Sequence, residues 1–221
     1  MARIPRQPGS SFKPFTYATA FQAGFGPGTV LFDVPTKFGE DQPQNFDGKF
    51  WGPLTLRHAL GASRNIPAVK TFFLAGGEDP ILQLAARMGV ISPKIQKGEH
   101  ERESGSPFDY GWPLAIGSAE VPLLEMVHGY STFASLGSYV PLTSIRRVSD
   151  RNGNILFETS SEKPDQILDA RIAYQITSIL SDREPRPNEY WRNVLTLPGT
   201  EAAAKTGTSN KCLKRKDEKD A

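Results

Sequence analysis

At 221 residues, with 38% hydrophobic and 23% charged side chains, the chain is long enough to bury a real core and reads as one globular domain. Its 26 basic and 24 acidic residues leave a net charge of +2, which favours neither nucleic acid nor an anionic membrane as partner. A single cysteine, Cys212, excludes an internal disulfide, and His58, His100 and His128 are too scattered for a zinc cluster, so no metal or other cofactor is expected.

After Pro8-Gly9, Ser10 is placed to cap a helix whose apolar positions Phe15, Tyr17, Ala18 and Phe21 recur at helical spacing. Pro14 falls in the first turn, where it removes few or no backbone hydrogen bonds. Phe32 to Trp51 is rich in Pro, Gly, Asn and Asp and reads as an irregular surface segment suited to a binding wall. Thr55 to Leu60 reads as a helix, and Ser63-Arg64-Asn65 as the loop before a second helix that Pro67 helps to start. A further helix is expected from Ile81 to Met88, then a charged loop from Ile91 to Trp112, then an amphipathic helix from Val121 to Leu136 stopped by Gly137. Asp150-Arg151-Asn152-Gly153 joins two segments, Leu142 to Val148 and Asn154 to Phe157, as a β-hairpin. Asp169 caps a helix from Ala170 to Leu180, a proline-rich connection follows, and Ala203 to Thr208 is expected to be a strand. Residues 211–221 are almost all charged and read as a solvated, disordered tail after a domain of residues 1–210. No internal repeat is present, and no apolar run approaches the ~20 residues that cross a bilayer. The first six residues also lack the apolar stretch of a signal peptide.

Three short elements carry chemistry. Ser10-Ser11-Phe12-Lys13 sets a serine one helical turn before a lysine, the arrangement of a nucleophile and its base. Ser63-Arg64-Asn65 supplies a polar pair, and Lys205-Thr206-Gly207-Thr208 supplies a cation with hydroxyls that suit a carboxylate. Ser160-Ser161-Glu162-Lys163 matches the first pattern too, but Pro164 follows it and no helix holds its lysine above its serine. Trp51, Trp112 and Trp191 read as core or rim aromatics.

Arg6 to Tyr17 resembles the active-site helix of the penicillin-binding proteins, in particular the transpeptidase domain of the bifunctional class A type. Gln44 to Phe50, Leu56 to Leu60, Asn65 to Lys70, Gly117 to Val121 and Ala202 to Asn210 resemble further landmarks of that family. The resemblance implies an α+β fold of the transpeptidase and serine β-lactamase kind, seen mostly in its helical part. It also implies a reaction, the cross-linking of peptidoglycan stem peptides that end in D-alanyl-D-alanine, through an acyl-enzyme on Ser10. In that scheme Lys13 is the base, Ser63 relays a proton, Asn65 orients Lys13 and the substrate backbone, and Lys205, Thr206 and Thr208 receive the donor carboxylate. Gly207 leaves room for substrate, the N–H groups of Ser10 and Thr208 form the oxyanion hole, and β-lactams acylate Ser10 as mimics of the dipeptide. By analogy Phe46 and Trp112 lie in loops beside the cleft. Arg64 departs from the Ser-Asp-Asn form of the second motif and carries no role that the sequence reveals.

A serine β-lactamase shares these first steps but needs a deacylating carboxylate, and no Glu-x-x-Leu-Asn element is present. A non-catalytic penicillin-binding or sensing domain is the other alternative. The resemblance further places the parent protein on the extracytoplasmic face of the bacterial cell membrane, anchored through segments outside this chain and joined to a glycosyltransferase domain. Only nine residues precede Ser10, and nothing after Asn210 reads as a strand, so the central sheet is expected to be incomplete at both ends. The chain is therefore expected to be an internal piece of a longer protein, labelled weakly or not at all by penicillin when alone.

Overall fold

The computed structural model describes residues 2–159 and 163–209. Strand β1 (Pro5–Arg6) leads through a 3-10 turn, Gly9–Phe12, into helix α1 (Lys13–Gln22). Every side chain from Lys13 to Phe21 is buried, as befits a helix at the centre of a core rather than on its surface. Pro14 sits in its first turn. Ser10 does not cap this helix: it lies inside the 3-10 turn, where the Lys13 N–H bonds to its carbonyl, and Phe12 occupies the cap of α1 without a side-chain bond.

Strands β2 (Val30–Asp33) and β3 (Gly52–Thr55) pair antiparallel, Val30 opposite Thr55, and enclose the irregular segment expected from composition. Thr55 then caps α2 (Leu56–Gly61), its hydroxyl accepting from the His58 N–H at 3.3 Å. Helix α3 (Asn65–Leu74) starts inside the second motif, and α4 (Glu78–Arg87) follows.

The expected loop from Ile91 to Trp112 is instead largely helix α5 (Ser92–Ser104), followed by a 3-10 turn at Trp112–Ile116. Pro93 at its start and Gly105 in the left-handed region at its end delimit α5. It has no apolar stripe, and Pro93 is its one buried residue. Ion pairs from Lys97 to Glu78 and Asp109, at 2.9 and 2.8 Å, tie it down instead.

Val121–Pro122 forms β4 and pairs with β1, so helix α6 begins at Leu123 and runs to Ala134, two residues later than its pattern suggested. Strand β5 (Ser138–Tyr139) precedes the hairpin of β6 (Arg147–Ser149) and β7 (Ile155–Glu158), and β8 (Asp165–Gln166) returns to pair with β5. In the hairpin turn the Asp150 carboxylate accepts from the N–H groups of Asn152 and Asn154, at 2.8 and 2.9 Å. Asp169 caps α7 (Ala170–Ser181), accepting from the Arg171 N–H at 2.8 Å.

Helix α8 (Glu189–Val194) occupies the proline-rich connection. Ala203 to Thr208, expected as a strand, is irregular. Among the described residues no strand lies beside it, and its Ala204 N–H bonds to the Leu180 carbonyl at 3.0 Å, the end of a helix rather than a sheet edge. Each sheet among the described residues has two strands. The expected tail at 211–221 and the second serine-lysine match at Ser160 fall outside or partly outside those residues.

The core gathers around α1. It packs against α3, α4 and α7, and Phe12, Phe15, Tyr17, Leu60, Ile81 and Ile176 are fully buried there. No helix is long and apolar enough to cross a membrane among the described residues.

Candidate active site

The 3-10 turn delivers Ser10 and Lys13 to one edge of the core. The Lys13 side chain is wholly buried at the N-terminus of α1 and reaches the turn between α2 and α3. There its amine donates to the Ser63 carbonyl at 2.7 Å and to Asn65 Oδ1 at 2.8 Å, with Ser63 Oγ and the Arg64 carbonyl both at 3.3 Å. Ser63 has φ +59°, in the left-handed region that a residue with a side chain seldom adopts. Asn65 is held from behind: its Nδ2 donates to the Gln44 carbonyl at 2.8 Å, which turns Oδ1 towards Lys13. Its backbone N–H donates to Asn45 Oδ1 at 2.7 Å.

Lys205 approaches Ser63 from the opposite side, its amine donating to Ser63 Oγ at 2.7 Å. The same amine meets the Thr206 carbonyl at 3.1 Å and Thr206 Oγ1 at 3.5 Å. Gly207 and Thr208 lie directly on the serine turn. A β-carbon on Gly207 would run into the Pro8 carbonyl and come within 2.9 Å of Ser11 Oγ. One on Gly9 would strike the Thr208 carbonyl. The small residue expected to leave room for a substrate is thus required by the close packing of this segment on the serine turn. Tyr130 supports the turn from α6, its hydroxyl donating to the Ser11 carbonyl at 2.8 Å.

Lys13, Ser63, Asn65, Lys205 and Thr206 are therefore joined by hydrogen bonds, and Gly207 and Thr208 by packing. Ser10 stands apart. It is half-buried and its hydroxyl bonds to none of these residues, nor to any other described residue. A shallow, open depression adjoins the cluster, lined by Ser63, Lys205 and Thr206 together with Asp182, Arg186 and Trp191.

Burial, and after it the cations Lys205 and Arg64, hold the Lys13 amine well below the ordinary lysine range, against an opposing pull from Asp33. Burial likewise brings Lys205 down to about 7. A neutral Lys13 has two N–H bonds for its two shortest contacts, the Ser63 carbonyl and Asn65 Oδ1. That leaves its lone pair free to accept a proton. The Ser63 hydroxyl accepts from both amines and so bridges them, an arrangement through which a proton could be passed.

The model of the penicillin binding protein transpeptidase domain matches residues 1–221. The chain belongs to the penicillin-binding protein transpeptidase family. Penicillin-binding protein 1A of Neisseria meningitidis serogroup A is 31% identical over 227 residues, a match that takes in 98% of this chain and 26% of that protein. The chain thus spans about a quarter of the length of the curated relatives it matches. Among solved structures, penicillin-binding protein PonA1 of Mycobacterium tuberculosis in complex with penicillin V superposes with a TM-score of 0.71 at 26% identity, covering 81% of this chain and 48% of that one. The D,D-transpeptidase domain of a peptidoglycan glycosyltransferase from Eggerthella lenta shares the fold, with a TM-score of 0.76 at 23% identity over 95% of this chain and 55% of that one.

In this penicillin-binding fold the structure also reveals residues that sequence reading missed. Arg64 is buried, with Nε donating to Asp33 at 2.8 Å and a terminal nitrogen to Asp47 at 3.0 Å. Asp33 is fully buried and Asn45 nearly so. The signal was the polar trio Gln44, Asn45 and Asp47, legible as part of a landmark but not as a lock on Asn65. Trp51 is 39% exposed and lies under the Arg64 guanidinium, 4.3 Å from ring centre to carbon. Trp112 belongs to an aromatic group with Phe38, their ring centres 6.0 Å apart. Phe46 is 96% exposed.

Proposed function

We propose that this domain is a serine D,D-transpeptidase that cross-links peptidoglycan stem peptides, with Ser10 as its nucleophile. The observation that carries the reading is that Lys13, buried one turn after Ser10, and the half-buried Lys205 meet at the Ser63 hydroxyl. A serine hydroxyl needs a base to become nucleophilic, and a lysine serves near neutral pH only when its surroundings keep it unprotonated.

In this reading Lys13 Nζ takes the Ser10 proton as Ser10 Oγ bonds to the carbonyl carbon of the penultimate D-alanine. The C–N bond breaks, and the proton passes from Lys13 through Ser63 to the departing amine of the terminal D-alanine. An amine of a second stem peptide then attacks the acyl-enzyme, gives up a proton along the same path and releases Ser10. Lys205, as the ammonium, with the Thr206 and Thr208 hydroxyls, receives the terminal carboxylate. The N–H groups of Ser10 and Thr208 face the developing oxyanion. A β-lactam follows the first step only: its ring amide opens and the fragment stays tethered to Ser10.

The parent protein works on the outer face of the bacterial cell membrane beside a glycosyltransferase domain, and residues 1–210 are its transpeptidase portion. The similarity to penicillin-binding protein 1A supports this. The test is release of D-alanine from a peptide ending in D-alanyl-D-alanine, by this domain made with whatever residues flank it in its gene. Release that disappears in Ser10→Ala is the expected result. Covalent penicillin binding without release would instead identify a non-catalytic binding domain.

A further inference from the structure

Arg64 has the one buried guanidinium among the described residues that pairs with a fully buried carboxylate. Taking two charges out of water is costly, and an apolar pair of similar size often serves stability as well. Its surroundings suggest what the pair does. Arg64 stands between Ser63 and Asn65, and its carbonyl faces Lys13 at 3.3 Å while its side chain points the other way. Nε donates to Asp33 Oδ2 at 2.8 Å and one terminal nitrogen to Asp47 Oδ2 at 3.0 Å. The other terminal nitrogen donates to the Lys49 carbonyl, and the guanidinium lies over Trp51. Asp33 in turn accepts from Asn45 Nδ2 at 2.7 Å and from the Trp51 N–H at 3.1 Å. Asn45 Oδ1 receives the Asn65 N–H at 2.7 Å, which closes a loop of contacts back on the motif.

We propose that Arg64 and Asp33 form a buried positioning pair that clamps the Ser63–Asn65 turn to the wall of residues 44–51, so that the Ser63 carbonyl and the Asn65 amide face Lys13. The inference rests on the reading of Lys13 as the base for Ser10. Ser63 supports it independently, because a left-handed residue with a side chain persists only where its neighbours over-determine it. The clamp one residue along supplies that constraint. A lysine in place of Arg64 would keep the charge but lose the planar fork that engages three acceptors at once.

The pair also sits in the field of the base. The charged groups facing Lys13 are Lys205 from the C-terminal segment, Arg64 from the turn and Asp33 from β2. The other titratable side chain on α1 is Tyr17, whose hydroxyl burial keeps protonated. Arg64 disfavours the ammonium form of Lys13 and Asp33 favours it. Removing Arg64 alone therefore raises the Lys13 pKa and removing Asp33 alone lowers it.

The test is the rate of acylation by a fluorescent penicillin as a function of pH, for this domain made with its flanking gene residues. Acylation requires neutral Lys13, so the acid limb of the profile should move to higher pH in Arg64→Met and to lower pH in Asp33→Asn. The double variant R64M/D33N should return the limb towards wild type while its plateau stays roughly 10- to 100-fold low, because position is still lost. Arg64→Lys should keep the limb and lose part of the plateau. R64M strands a buried carboxylate and is the variant most exposed to misfolding; the double variant and R64K carry the test if it does not fold. Folded variants with an unmoved limb and a plateau within twofold of wild type would overturn the inference alone. A wild-type protein that is not acylated on Ser10 would overturn the reading beneath it and the inference together.

Discussion

Lys13 and Lys205 meet at one hydroxyl but come from parts of the molecule built in different ways. Lys13 starts a helix whose side chains are buried as far as Phe21, and four oxygen atoms from the Ser63–Asn65 turn surround its amine. Lys205 lies on an irregular segment that touches the rest through the Ala204 bond to Leu180, the Lys205 amine itself, and the packing of Gly207 and Thr208 on the serine turn. One half of the cluster is fixed by the core, and the other by contact with the serine turn. A change in the core should therefore damage both stability and chemistry, whereas a change in the segment should separate them.

The largest effect is expected in the first half. Phe15 is fully buried and its ring lies 5.4 Å from Phe133 and 6.0 Å from Tyr130. Phe15→Ala should lower the unfolding free energy by about 3–5 kcal/mol, read by chemical denaturation. Gly207→Val sharpens the contrast. Its side chain would collide with Pro8 and Ser11, so penicillin acylation should fall roughly 10- to 100-fold. The unfolding free energy of the core should change by less than about 1 kcal/mol. A loss of stability as large as that of Phe15→Ala would break the comparison.

A smaller effect concerns pH. Lys205 is held at about 7, below its ordinary 10.5. Between those values the unfolded chain binds a proton that the folded one has released, so the lysine contributes stability that is complete at high pH and is lost as pH falls through about 7. Unfolding measured across this range should show stability rising with pH, and Lys205→Met should flatten the rise.

Features set by neighbours in sequence were legible in the chain. Asp169 caps α7 through a residue two positions away, and the turn at Asp150 to Gly153 bonds to itself, so both could be read locally. Family membership was legible for the same reason, since its motifs are short. Helix α5 was not, because it has no apolar stripe and is held by Lys97 reaching residues up to 19 positions away. The strand expected at Ala203 to Thr208 failed because strand character depends on a partner, which a local sequence cannot supply. Within the site, the serine-lysine spacing is a one-turn property, but Arg64 meets Asp33 across 31 positions and the left-handed Ser63 depends on that tertiary setting. Arg64 showed no role in the sequence because its partners Asp33 and Asp47 are distant along the chain.

If the two bridged amines serve Ser10, acylation must occur there and must depend on Lys13. The decisive experiment is incubation of the domain, made with its flanking gene residues, with benzylpenicillin, followed by intact-mass and peptide mass spectrometry. One covalent adduct is expected, mapped to Ser10, absent in Ser10→Ala and slowed at least about 100-fold in Lys13→Met. An adduct of equal yield in wild type and Ser10→Ala, or one mapped to another residue, would contradict that assignment.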